Sequence, residues 1–312
     1  MPILEVRNLT LGLKEKRLSL VEDINFSLKK GEVLGILGES GCGKSLTGFA
    51  LIKLFPPGII PYEGDVFFKG ISLFSLSEKE LLKIRGSKIS IILQDPLSSL
   101  NPVLPIGEQI EEVLKYHTEL SREERKKKII ELLREVGIPD PELRLKNYPH
   151  ELSGGLRQRA MIAMALAGEP EVLIADEPTT ALDLTLQAQI IRLLVKLKKE
   201  KKLSIIFITH DLGIARWITD RIAVFYAGEI VELAPAEELF STPLHPYTIS
   251  LFNSYPRENQ ELKISDTRPL NLFYKTQGCR YYQRCEIRCG EGKKEKPPLI
   301  QKYPGHWVRC YI

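Results

Sequence analysis

Apolar and polar positions alternate in short runs at the start of the chain. Residues 3–6, 23–28, 32–37 and 65–69 are rich in β-branched and other apolar side chains and are separated by turn residues, among them Tyr62-Glu63-Gly64. This pattern predicts strands. One helix is predicted among them, from Gly43 toward Leu54, because Pro56-Pro57-Gly58 cannot continue it. Ser77, with Glu80 three positions on, forms a capping box for a short helix over 77–84, and 89–93 reads as a buried strand. From about 106 to 166 the pattern turns helical: Ser121 and Glu124 cap a helix over 125–136, Gly137 ends it, and another helix starts near Ser153. Strands at 172–175, 204–209 and 222–226 then alternate with helices at 184–199 and 212–218, as in an α/β core built on a parallel sheet. Past Pro235, two short helical pieces lead to a polar stretch, 257–277, that reads as a linker to a cysteine-bearing tail.

Composition narrows this picture. A chain of 312 residues with 43% hydrophobic content has ample apolar material for a large folded domain. Its 44 basic and 40 acidic residues are mixed along the sequence, a balance that does not argue for a nucleic-acid partner, and none is expected. No run approaches the ~18 apolar residues of a membrane helix, and the first residues are strand-like rather than a signal peptide, so a cytosolic location is expected.

The glycine-rich segment between a buried strand and a helix is Gly38-Glu39-Ser40-Gly41-Cys42-Gly43-Lys44-Ser45, followed by Leu46. It matches G-x-x-x-x-G-K-[ST], in which glycines let backbone N–H groups approach phosphates at a helix start. ATP is the expected ligand of this whole run. Lys44 is expected to hold the β- and γ-phosphates and Ser45 to give its hydroxyl to Mg²⁺. A second apolar run, Val172 to Ala175, ends in Asp176-Glu177. A strand buried on both faces seldom ends in two carboxylates without a task. Asp176 is expected in the Mg²⁺ shell and Glu177 beside the water that attacks the γ-phosphate, where positioning and electrostatics govern the rate.

Leu152-Ser153-Gly154-Gly155-Leu156-Arg157-Gln158-Arg159 resembles the signature of ABC-type ATPases. As a serine and two glycines opening a helix, Ser153 to Leu156 form a second anion site. One chain cannot easily fold both sites onto the same γ-phosphate, so two chains are expected to cooperate. The resemblance implies a head-to-tail dimer, with the signature of one subunit over the nucleotide of the other. Gln94 in Leu93-Gln94-Asp95-Pro96 is similar to the loop that senses the membrane subunit and reaches Mg²⁺. Ala181-Leu182-Asp183 is similar to a dimer-contacting segment, and Thr209-His210-Asp211 to the histidine switch. Gln94, Glu177 and His210 are thus the expected catalytic set, and Asp183 a dimer contact.

Finer segments resemble the oligopeptide/dipeptide importer branch: Gln94 to Pro102, Tyr148 to Gly155, Ala175 to Leu182, and His245-Pro246-Tyr247-Thr248. The implied fold is an α/β phosphate-loop core with an antiparallel β subdomain and an α-helical signature subdomain at about 104–168, all within 1–254, followed by a small cysteine-containing extension within 255–312. The implied partners are a second ABC ATPase, paralogue or self, two integral membrane permeases and an extracytoplasmic substrate-binding protein, at the cytoplasmic face of the membrane. Relatives also move sugars or nickel, so the cargo is not read from this chain. Leu156 stands where the family usually has glutamine. Residues 1–25 also lack the aromatic on which the family stacks adenine, leaving Leu11, Leu13 or Leu18 as apolar substitutes. A soluble ABC ATPase of DNA repair or translation would need two cassettes or a long coiled-coil or nucleic-acid arm, and none is found.

Four of the five cysteines, Cys279, Cys285, Cys289 and Cys310, lie in the tail. In a reducing compartment this clustering points to metal rather than disulfides. The spacing is not that of paired zinc knuckles, and four thiolates suit either zinc or an iron–sulfur cluster. Interleaved Arg280, Arg284, Arg288 and Arg309 are read as offsetting the negative charge of a [4Fe–4S] cluster. The resemblance also favours the cluster, because importer ATPases of this branch bear similar extensions and some hold one.

Overall fold

In the computed structural model, residues 1–16, 18–254 and 277–311 are described. The linker read at 257–277 lies, except for its last residue, outside the described residues. The chain forms two compact units, Met1–Phe74 with Phe207–Ile312, and Ser75–Ile206.

The first unit opens with strands β1 (Leu4–Leu13) and β2 (Leu18–Leu28), then β3 (Val33–Leu37), β4 (Ile59–Phe68) and β5 (Ile71–Ser72). Along β1 the side chains of Leu4, Val6, Leu9 and Leu11 are buried, while Glu5 and Arg7 pair with each other at 2.7 Å on the outside. That alternation fixes which face meets the core. An antiparallel sheet results, in the order β2-β1-β4-β5. The helix after β3 is shorter than the sequence predicts, ending at Ala50. Lys53 adopts a left-handed backbone, φ 52°, and its ammonium caps the Phe74 carbonyl at 2.8 Å, so the chain turns before the prolines are reached.

In the second unit, the Ser121 capping box closes as predicted, with Glu124 N–H donating to Ser121 Oγ at 3.3 Å and Ser121 N–H to the Glu124 carboxylate at 2.7 Å. Because Ser121 is the cap, the helix spans Arg122–Glu135 and starts three residues before the predicted position. It packs with helices Ile106–His117 and Gly154–Leu166 through Ile110, Leu114, Ile129, Leu132 and Leu133, all buried. The strands here are β6 (Ile89–Ile92) and β7 (Val172–Asp176). They run parallel, β7 entirely buried. Helix Leu184–Lys201 follows.

β8 (Ser204–Thr209) carries the chain back into the first unit, which continues with β9 (Arg221–Tyr226), β10 (Glu229–Pro235), β11 (Ile300–Tyr303) and β12 (His306–Val308). There the order is β11-β12-β10-β9-β3, with β3 parallel to β9 and the remaining pairs antiparallel. The tail therefore supplies two strands to a central sheet, which its polar sequence did not announce. Among the described residues no helix is long and apolar enough to cross a membrane.

Candidate active site

The phosphate-loop half of the site lies in the first unit. β3 is fully buried and delivers the chain to Gly38, where a side chain would collide with the Phe225 carbonyl. Gly43 has φ 102°, and a Cβ there would lie 2.9 Å from Val21, so both positions demand glycine. Lys44 is 4% exposed, and its ammonium donates to the carbonyls of Gly38 at 2.8 Å and Glu39 at 2.9 Å. The loop is thus wrapped around its own cation. Ser45 and Leu46 are half-buried, while Ser40 and Gly41 are exposed. Cys42 is fully buried, and burial pushes its thiol up to about 11. It fills space beneath the loop as a neutral side chain. His210 is exposed beyond β8, and Asp211 after it accepts from Ile214 N–H at 3.0 Å to cap the next helix.

The carboxylate half lies in the second unit. The β6–β7 register pairs Ile92 with Ala175, which brings the two strand ends side by side. Gln94 and Glu177 follow those ends, and the Gln94 amide donates to the Glu177 carboxylate at 3.2 Å. Thr180 Oγ1 donates to the same oxygen at 2.9 Å, a contact not anticipated from the sequence. Glu177 itself has φ 45°, a sparsely populated conformation for a side-chain-bearing residue that is typical of functional sites. Asp176 is buried at 3% exposure. Ser153 caps the helix Gly154–Leu166. Gly154 is exposed, and Gly155 is buried with Leu186 at its back. Leu156 N–H donates to Ser153 Oγ at 3.4 Å. Asp183 caps helix Leu184–Lys201 by accepting from Leu186 N–H at 2.9 Å.

Of the leucines offered as adenine contacts, Leu11 is fully buried and Leu18 nearly so. Only Leu13 is half-exposed, held by the Tyr62 hydroxyl donating to its carbonyl at 2.6 Å.

In the tail, Cys279, Cys285, Cys289 and Cys310 line one small cavity of about 20 Å³, together with His245 and Tyr281. None of the four is in a disulfide. Burial pushes Cys279 up to about 11 and His245 down to about 3, so both are neutral. Among the described residues no group of three or more His, Cys, Asp or Glu is placed to hold a metal ion. The arginines require a correction. Arg280 pairs with Glu22 and Glu229, Arg309 with Asp23 at 2.8 Å, and Arg284 with Glu39 at 3.2 Å. Three of the four thus neutralise carboxylates of the first unit, not charge on the cysteines. Arg288 alone lines the cavity, donating to the Cys285 carbonyl at 3.2 Å.

A phosphate loop and a buried strand ending in Asp-Glu define a nucleoside-triphosphate hydrolase. The family described as ABC transporter matches residues 21–180, and that described as the C-terminal region of oligopeptide/dipeptide transporters matches 231–291. The chain is 46% identical, over 99% of its length, to a probable peptide ABC transporter ATP-binding protein of Sinorhizobium fredii, covering 94% of that protein. Against the oligopeptide transport ATP-binding protein of Bacillus subtilis it is 45% identical over 99% of its length, covering 88% of the relative. The solved dimer of the ATP-binding cassette MJ0796 in a post-hydrolysis state with ADP and Pi is 33% identical with a TM-score of 0.66, over 75% of this chain and 98% of that one. The chain therefore belongs to the ATP-binding subunits of ABC transporters. It is an ATPase, and its cofactors are ATP and Mg²⁺.

Proposed function

We propose that this chain powers peptide uptake: it sits on the cytoplasmic face of the membrane against two integral permeases, is supplied by an extracytoplasmic binding protein, and hydrolyses MgATP in a head-to-tail dimer with a similar subunit or a second copy. The observation that carries this is the near-full-length match, tail included, to peptide-importer ATP-binding proteins. In this reading the loop Gly38 to Leu46 binds ATP, and Ser45, Asp176 and Gln94 serve Mg²⁺. Ser153 to Leu156 close over the partner's nucleotide, Asp183 touches the partner, and His210 contacts the γ-phosphate. Glu177 orients the attacking water. One oxygen of its carboxylate accepts from both Gln94 and Thr180, which supports that role because a positioned base contributes more than a mobile one. Replacing Glu177 by Gln should lower ATP turnover by ~10²–10⁴-fold while MgATP binding persists and a closed dimer accumulates. Normal turnover in that variant would remove Glu177 from the mechanism.

The four tail cysteines are, in the same proposal, ligands of a [4Fe–4S] cluster. Support comes from the four cysteines lining one cavity. When bound, the cluster would cross-link the tail and supply a one-electron centre. Iron and sulfide assays on anaerobically purified protein should find both, and finding neither refutes the assignment.

A further inference from the structure

We infer that Arg284 of the cysteine-bearing tail is a positioning residue for ATP binding, acting by neutralising the carboxylate that the phosphate loop itself carries at Glu39. The inference rests on the reading of that loop as the ATP site. Glu39 is the second residue of the loop, and a carboxylate there stands beside the polyphosphate it must admit. Two like charges at such range repel by an amount that burial increases. The side chain of Glu39 is 36% exposed and that of Arg284 only 12%, so water screens the pair incompletely.

The geometry holds Glu39 from two sides. Arg284 Nη1 donates to both carboxylate oxygens at 3.2 Å, and Glu39 N–H donates to the Tyr247 hydroxyl at 3.2 Å. The guanidinium also lies over the Tyr226 ring, 5.9 Å from its centroid. Tyr226 in turn packs on Tyr247 at 4.6 Å and Tyr281 at 5.1 Å. Arg284 is therefore anchored by a buried aromatic cluster rather than swinging in solvent. Lys44 donates to the Glu39 backbone carbonyl, whereas Arg284 pairs with the Glu39 carboxylate, so the loop's cation does not serve to neutralise that carboxylate. The two partners are 245 positions apart, and Arg284 directly precedes Cys285, whose side chain lines the cysteine cavity. The segment that carries the cysteines thus also delivers a charge to the lip of the nucleotide site.

The test is a double-mutant cycle read by KM for ATP and by equilibrium binding of a fluorescent ATP analogue with Mg²⁺. R284M should weaken ATP binding roughly three- to tenfold with a smaller effect on kcat, and R284K should retain most of the affinity. In an E39Q background, R284M should change affinity little, because no charge remains to neutralise. Equal losses in both backgrounds, or unchanged affinity in R284M, overturn the inference. Wild-type protein that fails to bind the analogue overturns instead the reading of the loop on which it rests.

Discussion

Cys42 shows how little a cysteine's position says of its chemistry. It sits inside the phosphate loop, yet it is fully buried and its thiol is pushed up to about 11. At pH 8 only ~0.1% of such a group is thiolate, and the thiolate is the reactive form. Iodoacetamide at pH 8 should leave Cys42 unmodified in the native protein, with the rate rising steeply as pH approaches 11; peptide mapping by mass spectrometry that finds Cys42 labelled as fast as a free thiol contradicts this. The candidate residues of the ATP site could be named from the sequence because each belongs to a short contiguous motif. Even the meeting of Gln94 with Glu177 follows once β6 and β7 are parallel neighbours. Arg284 was legible only as a basic residue near a cysteine, since its partner Glu39 lies in a distant segment and no local spacing announces the pair.

Among the elements, β3, β7 and β8 were readable because a strand buried on both faces is a near-continuous apolar run. The capping box at Ser121 was readable because its chemistry is local. β11 was not, because all four of its residues are exposed and show no alternation. Helix Leu184–Lys201 allows two roles of Asp183 to be separated. Its carboxylate caps the helix at 2.9 Å, and replacing a capping Asp by Ala costs ~1 kcal/mol, whereas Asn caps about as well. D183A should therefore lower thermal stability and D183N should not. If D183N keeps its stability but loses ATP-dependent dimerisation, the carboxylate serves the partner contact as well as the helix.

The first unit is tied together by buried polar groups as much as by its apolar core. Glu232 on β10 is fully buried and accepts from Leu244 N–H at 2.7 Å, from His245 N–H at 2.9 Å, and lies 2.7 Å from His306 Nε2. It holds the segment before helix Pro246–Asn253 and strand β12 to the same point of the sheet. Glu232→Ala would strand these partners, at a cost of ~3 kcal/mol or more. In a unit of this size that corresponds to a fall in Tm of roughly 6–12 °C, which calorimetry would detect. A shift under ~2 °C would mean that the network relaxes to find other partners. None of this was legible in the sequence, where Glu232 is one acidic residue in an apolar run.

The pairing of β12 with β10 also has a consequence for biosynthesis. β10 is made well before residues 306–308, and until those emerge from the ribosome its outer N–H and C=O groups have no strand to meet. Glu22 and Asp23 likewise wait for Arg280 and Arg309. A nascent chain can bury part of the apolar core of this unit early, but until the tail is made it lacks Tyr281, Cys285 and Val308 and carries an open sheet edge and unmatched carboxylates. Unpaired edges recruit other chains, so newly made copies are most exposed to misassembly in that interval, and slowing synthesis between β10 and β12 lengthens it.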